Sequence, residues 1–252
     1  MKNALVVGRG YAGSFHGQAL KELGFKVRFY DTIRQKSDFS SFEDALKTNP
    51  EVITFSDTPK SRIEYLSEFK DRISAQVFLE KPPCRLQDLH LYQDLLRRLE
   101  IVPIHNYLFM DFTKQISLPL RIFILRRRPH QSWYPSFDLT GGGICCDHAY
   151  HWLYVADSLG INIEALRMIK DTKPIDKTVI IWSNDGLFNF FATWNWPERK
   201  TIINNREVEL RTGDNMVESY KRLYTADEDC YERLRQQSLK IIKFLGGGAN
   251  EQ

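Results

Sequence analysis

Across the first hundred residues, short apolar runs alternate with segments whose apolar positions recur at helical spacing. That is the pattern of a parallel sheet wound with helices. Residues 4–7 read as a buried strand, residues 8–13 as a glycine turn, and residues 14–23 as a helix with Phe15, Ala19, Leu20 and Leu23 on one face and Gly24 just past its end. Residues 25–30 follow as a second strand, 41–48 as a short helix, 52–55 as a third strand, and 61–69 as a helix that turns Ile63, Leu66 and Phe69 inward. Residues 76–79 form the next strand, 86–99 a leucine-faced helix, and 101–107 a last strand, which makes five strands with helical crossovers.

After about Met110 the pattern changes to longer strands at 120–126, 165–170, 178–183 and 187–196. The last two are joined through Asn184-Asp185-Gly186, where an Asp-Gly pair between apolar runs signals a hairpin. One helix interrupts them at 145–159, the tail from 215 to 245 is helical, and the final GGGANEQ reads as a frayed end. The fold class predicted is α/β, with an N-terminal Rossmann domain over residues 1–110. A second α+β domain, built on a mostly antiparallel open sheet, takes residues 111–252.

A length of 252 residues suits two small domains, and 42% apolar with 27% charged residues excludes a disordered or fibrous chain. The net charge of +3 is spread evenly along the sequence, which argues against a nucleic-acid partner. Arg126, Arg127 and Arg128, followed by His130, are the local exception: either a solvated strand end or a site that steers a phosphate or carboxylate. No apolar run reaches the roughly 18 residues a membrane span needs, and the N-terminus runs straight into a strand pattern. No membrane partner is expected, and the expected location is the cytoplasm. Cys84, Cys145, Cys146 and Cys230 lack disulfide-framework spacing, which fits a reducing compartment.

Gly8, Gly10 and Gly13, with Tyr11 and Ala12 between them, stand as G-x-G-x-x-G between a strand and a helix. Such a turn lets the backbone approach a pyrophosphate while the helix N-terminus faces its charge. Asp31 ends the second strand 18 residues beyond Gly13, where a carboxylate accepts from ribose hydroxyls, with Thr32 and Arg34 beside it. Asp31 repels a 2′-phosphate, so NAD is the expected cofactor; Arg34 leaves NADP open.

Glu80-Lys81-Pro82 directly follows a strand, and Gly141-Gly142-Gly143 leads to Asp147 and His151 at the start of a helix. With His16 three residues after Gly13 and Asn106-Tyr107 at the close of the last Rossmann strand, these residues resemble the glucose-fructose oxidoreductase and inositol dehydrogenase (Gfo/Idh/MocA) family. The resemblance runs in order over most of the chain. It implies chemistry in a cleft between the two domains, with Lys81 near the nicotinamide and the reacting hydroxyl or ketone and the Lys81-Pro82 bond cis. It also implies that Glu80, Lys81 and Pro82 shape the nicotinamide pocket and that His151 is the acid/base with Asp147 as its neighbour. Asn106, Tyr107, Arg126 and His148 are the substrate-side candidates.

The chemistry of the residues agrees. Moving a hydride from a carbinol carbon requires a proton to leave its oxygen, a task suited to histidine, and a lysine stabilises the developing oxyanion. Asp147 and His151, four apart on a helix, share a face. A structural reading stays open, in which Asp147 is a helix N-terminal carboxylate and His151 a core residue. Cys145, Cys146, His148 and His151 invite a zinc reading, but adjacent cysteines rarely reach one tetrahedral ion, so no metal is expected. Trp182, Phe188, Phe190, Phe191, Trp194 and Trp196 read as core or subunit interface. Phe188, Phe190, Trp194 and Trp196 are expected on an outward sheet face that makes a homodimer or larger homo-oligomer.

Two departures from the family pattern are legible. Only one short helix fits between Asp31 and Val52, and the usual long helix after Tyr107 is a stub near 111–116, with Leu108 where an arginine often stands. The cleft is therefore more open and suits a larger substrate, such as a sugar carried on a nucleotide. The expected function is hydride transfer between NAD(H) and a hydroxyl or ketone of a sugar, sugar nucleotide or cyclitol. A non-catalytic nucleotide-binding sensor on the same fold is the alternative.

Overall fold

Apolar runs with no alternation need cover on both faces, and the first sheet supplies it. The computed structural model describes residues 1–127, 143–171, 177–208 and 213–246. Strands β1 (Asn3–Val7), β2 (Lys26–Tyr30), β3 (Val52–Phe55), β4 (Gln76–Leu79) and β5 (Ile101–Pro103) pair in the order β2-β1-β3-β4-β5. All the pairings in this sheet are parallel. Helices α1 (Tyr11–Glu22), α2 (Phe42–Leu46), α3 (Pro59–Phe69) and α4 (Leu89–Arg98) form the connections. Ser41 caps α2 by accepting from the Asp44 N–H, and Thr58 caps α3 by accepting from the Ser61 N–H. Pro59, preset for a first helical turn, starts α3 two residues earlier than the apolar spacing indicated.

The fifth strand is shorter than predicted. The Ile104 N–H, just past Pro103, still donates to the Leu79 carbonyl at 2.8 Å, and the chain then turns into a 3₁₀ segment, Asn106–Phe109, so Asn106 and Tyr107 lie beyond the strand.

The second sheet contains β6 (Leu120–Arg127), β7 (Arg167–Lys170), β8 (Thr178–Trp182), β9 (Phe188–Thr193), β10 (Asn195–Ile203) and β11 (Arg206–Glu207), in the order β11-β10-β6-β9-β8-β7. Its β6–β9 pair is parallel and the others are antiparallel. The strand predicted at 187–196 is thus two strands. After Thr193 the chain passes over the end of β6 and returns along its other side, with a register shift between Asn195 and Lys200. The sequence reading missed β10 and β11 because the first five residues of β10 are exposed, Glu198 to Lys200 are charged, and buried positions resume only at Thr201 and Ile203. Asn204 and Asn205, both at positive φ, make the turn to β11 and were the available signal.

The sheet's orientation also corrects the predicted interface. Phe188, Phe190 and Trp194 are buried inward, toward the π-helical turn Cys145–Ala149 that packs on β8 and β9, and only Trp196 of that group is exposed. Side-chain period 2 sends Asn189 and Phe191 outward instead, beside exposed Phe123 and Ile180. The π-helical turn runs directly into α5 (Tyr150–Ser158).

Two helices close the chain, α6 (Gly213–Tyr224) and α7 (Glu228–Gly246), separated where Asp227 accepts from the Cys230 N–H. Their sequence position put them with the second sheet, yet α6 packs along α1 and α7 along β5 and α5. Tyr231 meets the Phe78 ring, Arg235 donates to the Ile101 carbonyl at 2.7 Å, and Tyr150 and Ser238 share a hydrogen bond at 2.9 Å. One hydrophobic core runs through both sheets as a result. Arg128, His130, Gly141 and Gly142 lie outside the described residues, as does the end of the chain beyond Gly246.

Candidate active site

The carboxyl ends of four parallel strands place the turn at Gly8, the Ser56-Asp57 pair, the Glu80-Lys81-Pro82 turn and residues 104–106 along one sheet edge. Open α/β sheets bind ligands at this edge, where the strand order reverses. Gly8 has φ of +90°, and a Cβ on it would lie 2.9 Å from the Asp57 nitrogen. A Cβ on Gly13 would lie 1.9 Å from the Gly8 carbonyl oxygen, so both glycines are required by the protein's own packing. Gly10 differs: a Cβ there would meet nothing within 4 Å, and α1 begins beside it without a side-chain cap. The open side of Gly10 and the free helix N-terminus are what a pyrophosphate needs. Tyr11 is exposed and Ala12 half-buried at this start.

Asp31 accepts from the Arg9 N–H at 2.7 Å and from the Ile33 N–H at 2.8 Å, which fixes its carboxylate beside the turn. Thr32 is exposed, and Arg34 donates to the Phe39 carbonyl at 2.9 Å.

Glu80 is buried in a network that ties α1 to α6. Its Oε1 accepts from Tyr220 at 2.6 Å and lies 3.1 Å from His16 Nε2, while Oε2 accepts from the Lys81 N–H at 3.2 Å. An ionised carboxylate only accepts, so His16 Nε2 carries the proton of that pair. His16 Nδ1 is 2.7 Å from the Tyr224 hydroxyl, which in turn is 2.7 Å from Thr54 Oγ1. Burial pushes the Glu80 carboxyl up, but hydrogen bonds from His16 and Tyr220 and the Lys81 charge overcome it and hold the group at about 2. Tyr220 and Tyr224, on a helix more than a hundred residues away in sequence, were not foreseen.

Lys81 reaches the other way. Its ammonium donates to the main-chain carbonyl and to Oδ1 of Asp147, both at 2.8 Å, and Asp147 Oδ2 lies 2.9 Å from His148 Nε2. Burial raises the Asp147 carboxyl, but neighbouring His148 and Lys81 outweigh burial and hold it well below the ordinary range. Asp147 thus bridges Lys81 and His148, a neighbour that the four-residue spacing argument had not paired with it; the wider π-helical turn here departs from the α-helical spacing assumed. His151 is buried, its ring stacked on that of Tyr107 at 4.0 Å between centroids. Asn106 Nδ2 lies 3.3 Å from Met216 Sδ, and the Lys81–Pro82 bond is cis. Arg126 donates to Thr201 Oγ1 at 3.3 Å, across the β6–β10 pair. Cys145 Sγ faces Met168 Sδ, and among the described residues no group of three or more His, Cys, Asp or Glu is placed to hold a metal ion.

Two further buried groups adjoin the site. His105, against the Tyr150 and Tyr154 rings, is pushed well below the ordinary histidine value by burial, with the Lys81 charge acting in the same direction. Arg62, from α3, faces Asp57 and the Glu80–Pro82 turn. Its place four residues before Leu66 and seven before Phe69 puts it on the inward face of α3, a signal the sequence reading did not use.

Solved structures share this arrangement of two sheets. GenD2 from gentamicin A biosynthesis, solved in complex with NAD, is 14% identical, with a TM-score of 0.73 over 97% of this chain and 92% of that one. At this identity the likeness is one of fold: a parallel sheet wound with helices, joined to a second mixed sheet. The WlbA dehydrogenase from Thermus thermophilus, in complex with NAD and UDP-GlcNAcA, is 13% identical with a TM-score of 0.71, over 98% of this chain and 94% of that one. A myo-inositol dehydrogenase from Corynebacterium glutamicum is 11% identical with a TM-score of 0.66, over 97% and 94%. No protein-family model matches the sequence, and no curated protein matches it by sequence.

Proposed function

We propose that this chain is an oxidoreductase that transfers a hydride between NAD(H) and the carbinol or carbonyl carbon of a sugar, sugar nucleotide or cyclitol. The observation that carries the reading is the Lys81 ammonium, pinned on Asp147 at the same sheet edge as the glycine turn. The structural neighbours support it, since several were solved with NAD or NADH and two with UDP-GlcNAcA as well.

The turn at Gly8, Gly10 and Gly13, with Tyr11 and Ala12, would hold the pyrophosphate of NAD. Asp31, with Thr32 and Arg34 beside it, would meet the adenosine ribose. When bound, the nicotinamide supplies the hydride acceptor or donor. Pro82 and Lys81 would border its ring, and the Glu80 network fixes the start of that turn. Lys81 would donate to the substrate oxygen and stabilise its negative charge, with Asp147 keeping the ammonium in place. His151 would move the hydroxyl proton, and His148, already on Asp147, would orient the substrate with Asn106 and Tyr107. Arg126 is the candidate for an anionic group on the substrate.

The substrate is sought by mass spectrometry of small molecules released from the purified, denatured protein, followed by turnover assays with NAD(H). His151→Ala and Lys81→Ala are each expected to lower turnover by roughly 100- to 10,000-fold with NAD affinity little changed. Near-normal turnover of His151→Ala would move proton transfer to His148. Bound NAD with no turnover of any hydroxyl compound would favour a sensor.

A further inference from the structure

We infer that Arg62 is a positioning residue for Lys81, gripping the main chain on both sides of it so that the ammonium is delivered to Asp147. The inference rests on the reading of Lys81 as the working cation of the site. Arg62 is 1% exposed, and burying a guanidinium costs far more than burying an apolar side chain of similar size, so packing alone does not account for it. Its donors go mainly to main-chain oxygens. Nη1 donates to the carbonyls of Glu80 and, at 3.0 Å, of Pro82; Nη2 donates to the carbonyl of Asp57; and Nε lies 3.4 Å from Asp57 Oδ1.

Glu80 and Pro82 are the residues that flank Lys81, and Asp57 ends the run from β3 beside Gly8. One rigid planar fork therefore ties the lysine turn to the neighbouring strand end and to α3. A lysine at this position has one ammonium on a flexible stem and cannot span the three carbonyls. Thr58 and Pro59 fix the first turn of α3, so the arginine is itself held in place.

The test uses the full chain and needs no substrate. Wild type, Arg62→Gln and Arg62→Lys are treated with limiting acetic anhydride, and acetylation of Lys81 is followed by peptide mass spectrometry against exposed Lys26 and against Lys240, which is paired with Asp157 at 2.6 Å. Lys81, only 13% exposed and ion-paired, reacts slowly in the wild type. The expected result is several-fold faster acetylation of Lys81 in Arg62→Gln, a smaller increase in Arg62→Lys, and unchanged rates at Lys26 and Lys240. Should Arg62→Gln not fold, the lysine variant decides alone. A wild-type Lys81 rate in a folded variant overturns the inference. So does a parallel rise at Lys240, which marks general loosening. In turnover the loss should fall on kcat, with NAD affinity retained. Lys81 exposure without any turnover in the wild type counts against the oxidoreductase reading and leaves the positioning role standing.

Discussion

Replacing Glu80 by glutamine removes one proton-binding group from the network under the lysine turn. The folded carboxyl sits at about 2 against an ordinary 4.5, a difference that favours the folded chain by about 3 kcal/mol when Glu80 is ionised. Because the folded value lies below the unfolded one, this stabilisation is complete above the unfolded value and is lost as the pH falls. Roughly 1 kcal/mol is gone at pH 4 and about 2 kcal/mol at pH 3. Glutamine keeps the shape and still accepts from Tyr220, but it takes up no proton in this range. Urea unfolding of both proteins, followed by tryptophan fluorescence between about pH 7 and pH 3, gives the difference in stability at each pH. Asp147 and the other carboxylates titrate in both proteins, so the difference reports Glu80 together with its partner His16. The wild type should lead at neutral pH, and its lead should shrink by about 2 kcal/mol by pH 3. A lead that stays constant over the range refutes the assignment of Glu80 as a charged, network-bound group.

The glycine turn separates packing from binding. Gly13→Ala, which forces a Cβ onto the Gly8 carbonyl, should cost about 1–3 kcal/mol in stability, whereas Gly10→Val should leave the melting temperature near wild type and abolish NAD binding, measured by quenching of protein fluorescence. Equal melting losses in the two variants would contradict the geometry. Asp31→Ser should narrow the preference for NAD(H) over NADP(H), and tighter NADP(H) binding by the unaltered protein would remove the role given to Asp31. We propose that the outward face around Phe123, Ile180 and Phe191 makes a homodimer. Light scattering should give about twice 29.6 kDa, and Phe123→Lys with Ile180→Lys should return the single-chain mass, a mass that would exclude the dimer if the unaltered protein showed it.

The parallel sheet, its crossovers and the glycine turn were legible because their signals are local. Val52–Phe55 and Gln76–Leu79 fall where the apolar runs put them, and a strand covered on both faces shows as such a run whatever its partners are. Lys81 and Asp147 were singled out from separate motifs, and the fold brings them to 2.8 Å. The remainder depended on pairings between distant residues. Strand β10 loses the alternation that marks a half-buried strand, and Phe188 and Phe190 could be assigned a period but not a face, because period 2 does not say which side holds the core. The partners of Glu80 are Tyr220 at the far end of the chain and His16 near its start, and Arg62 finds its carbonyls only when α3, β3 and β4 are packed together. Sequence by itself located the glycine turn, the segments around Lys81 and Asp147, and the strands of the parallel sheet. The tertiary structure decided which buried charge meets which, since a buried polar group takes its partner from whatever the packing brings within hydrogen-bond reach.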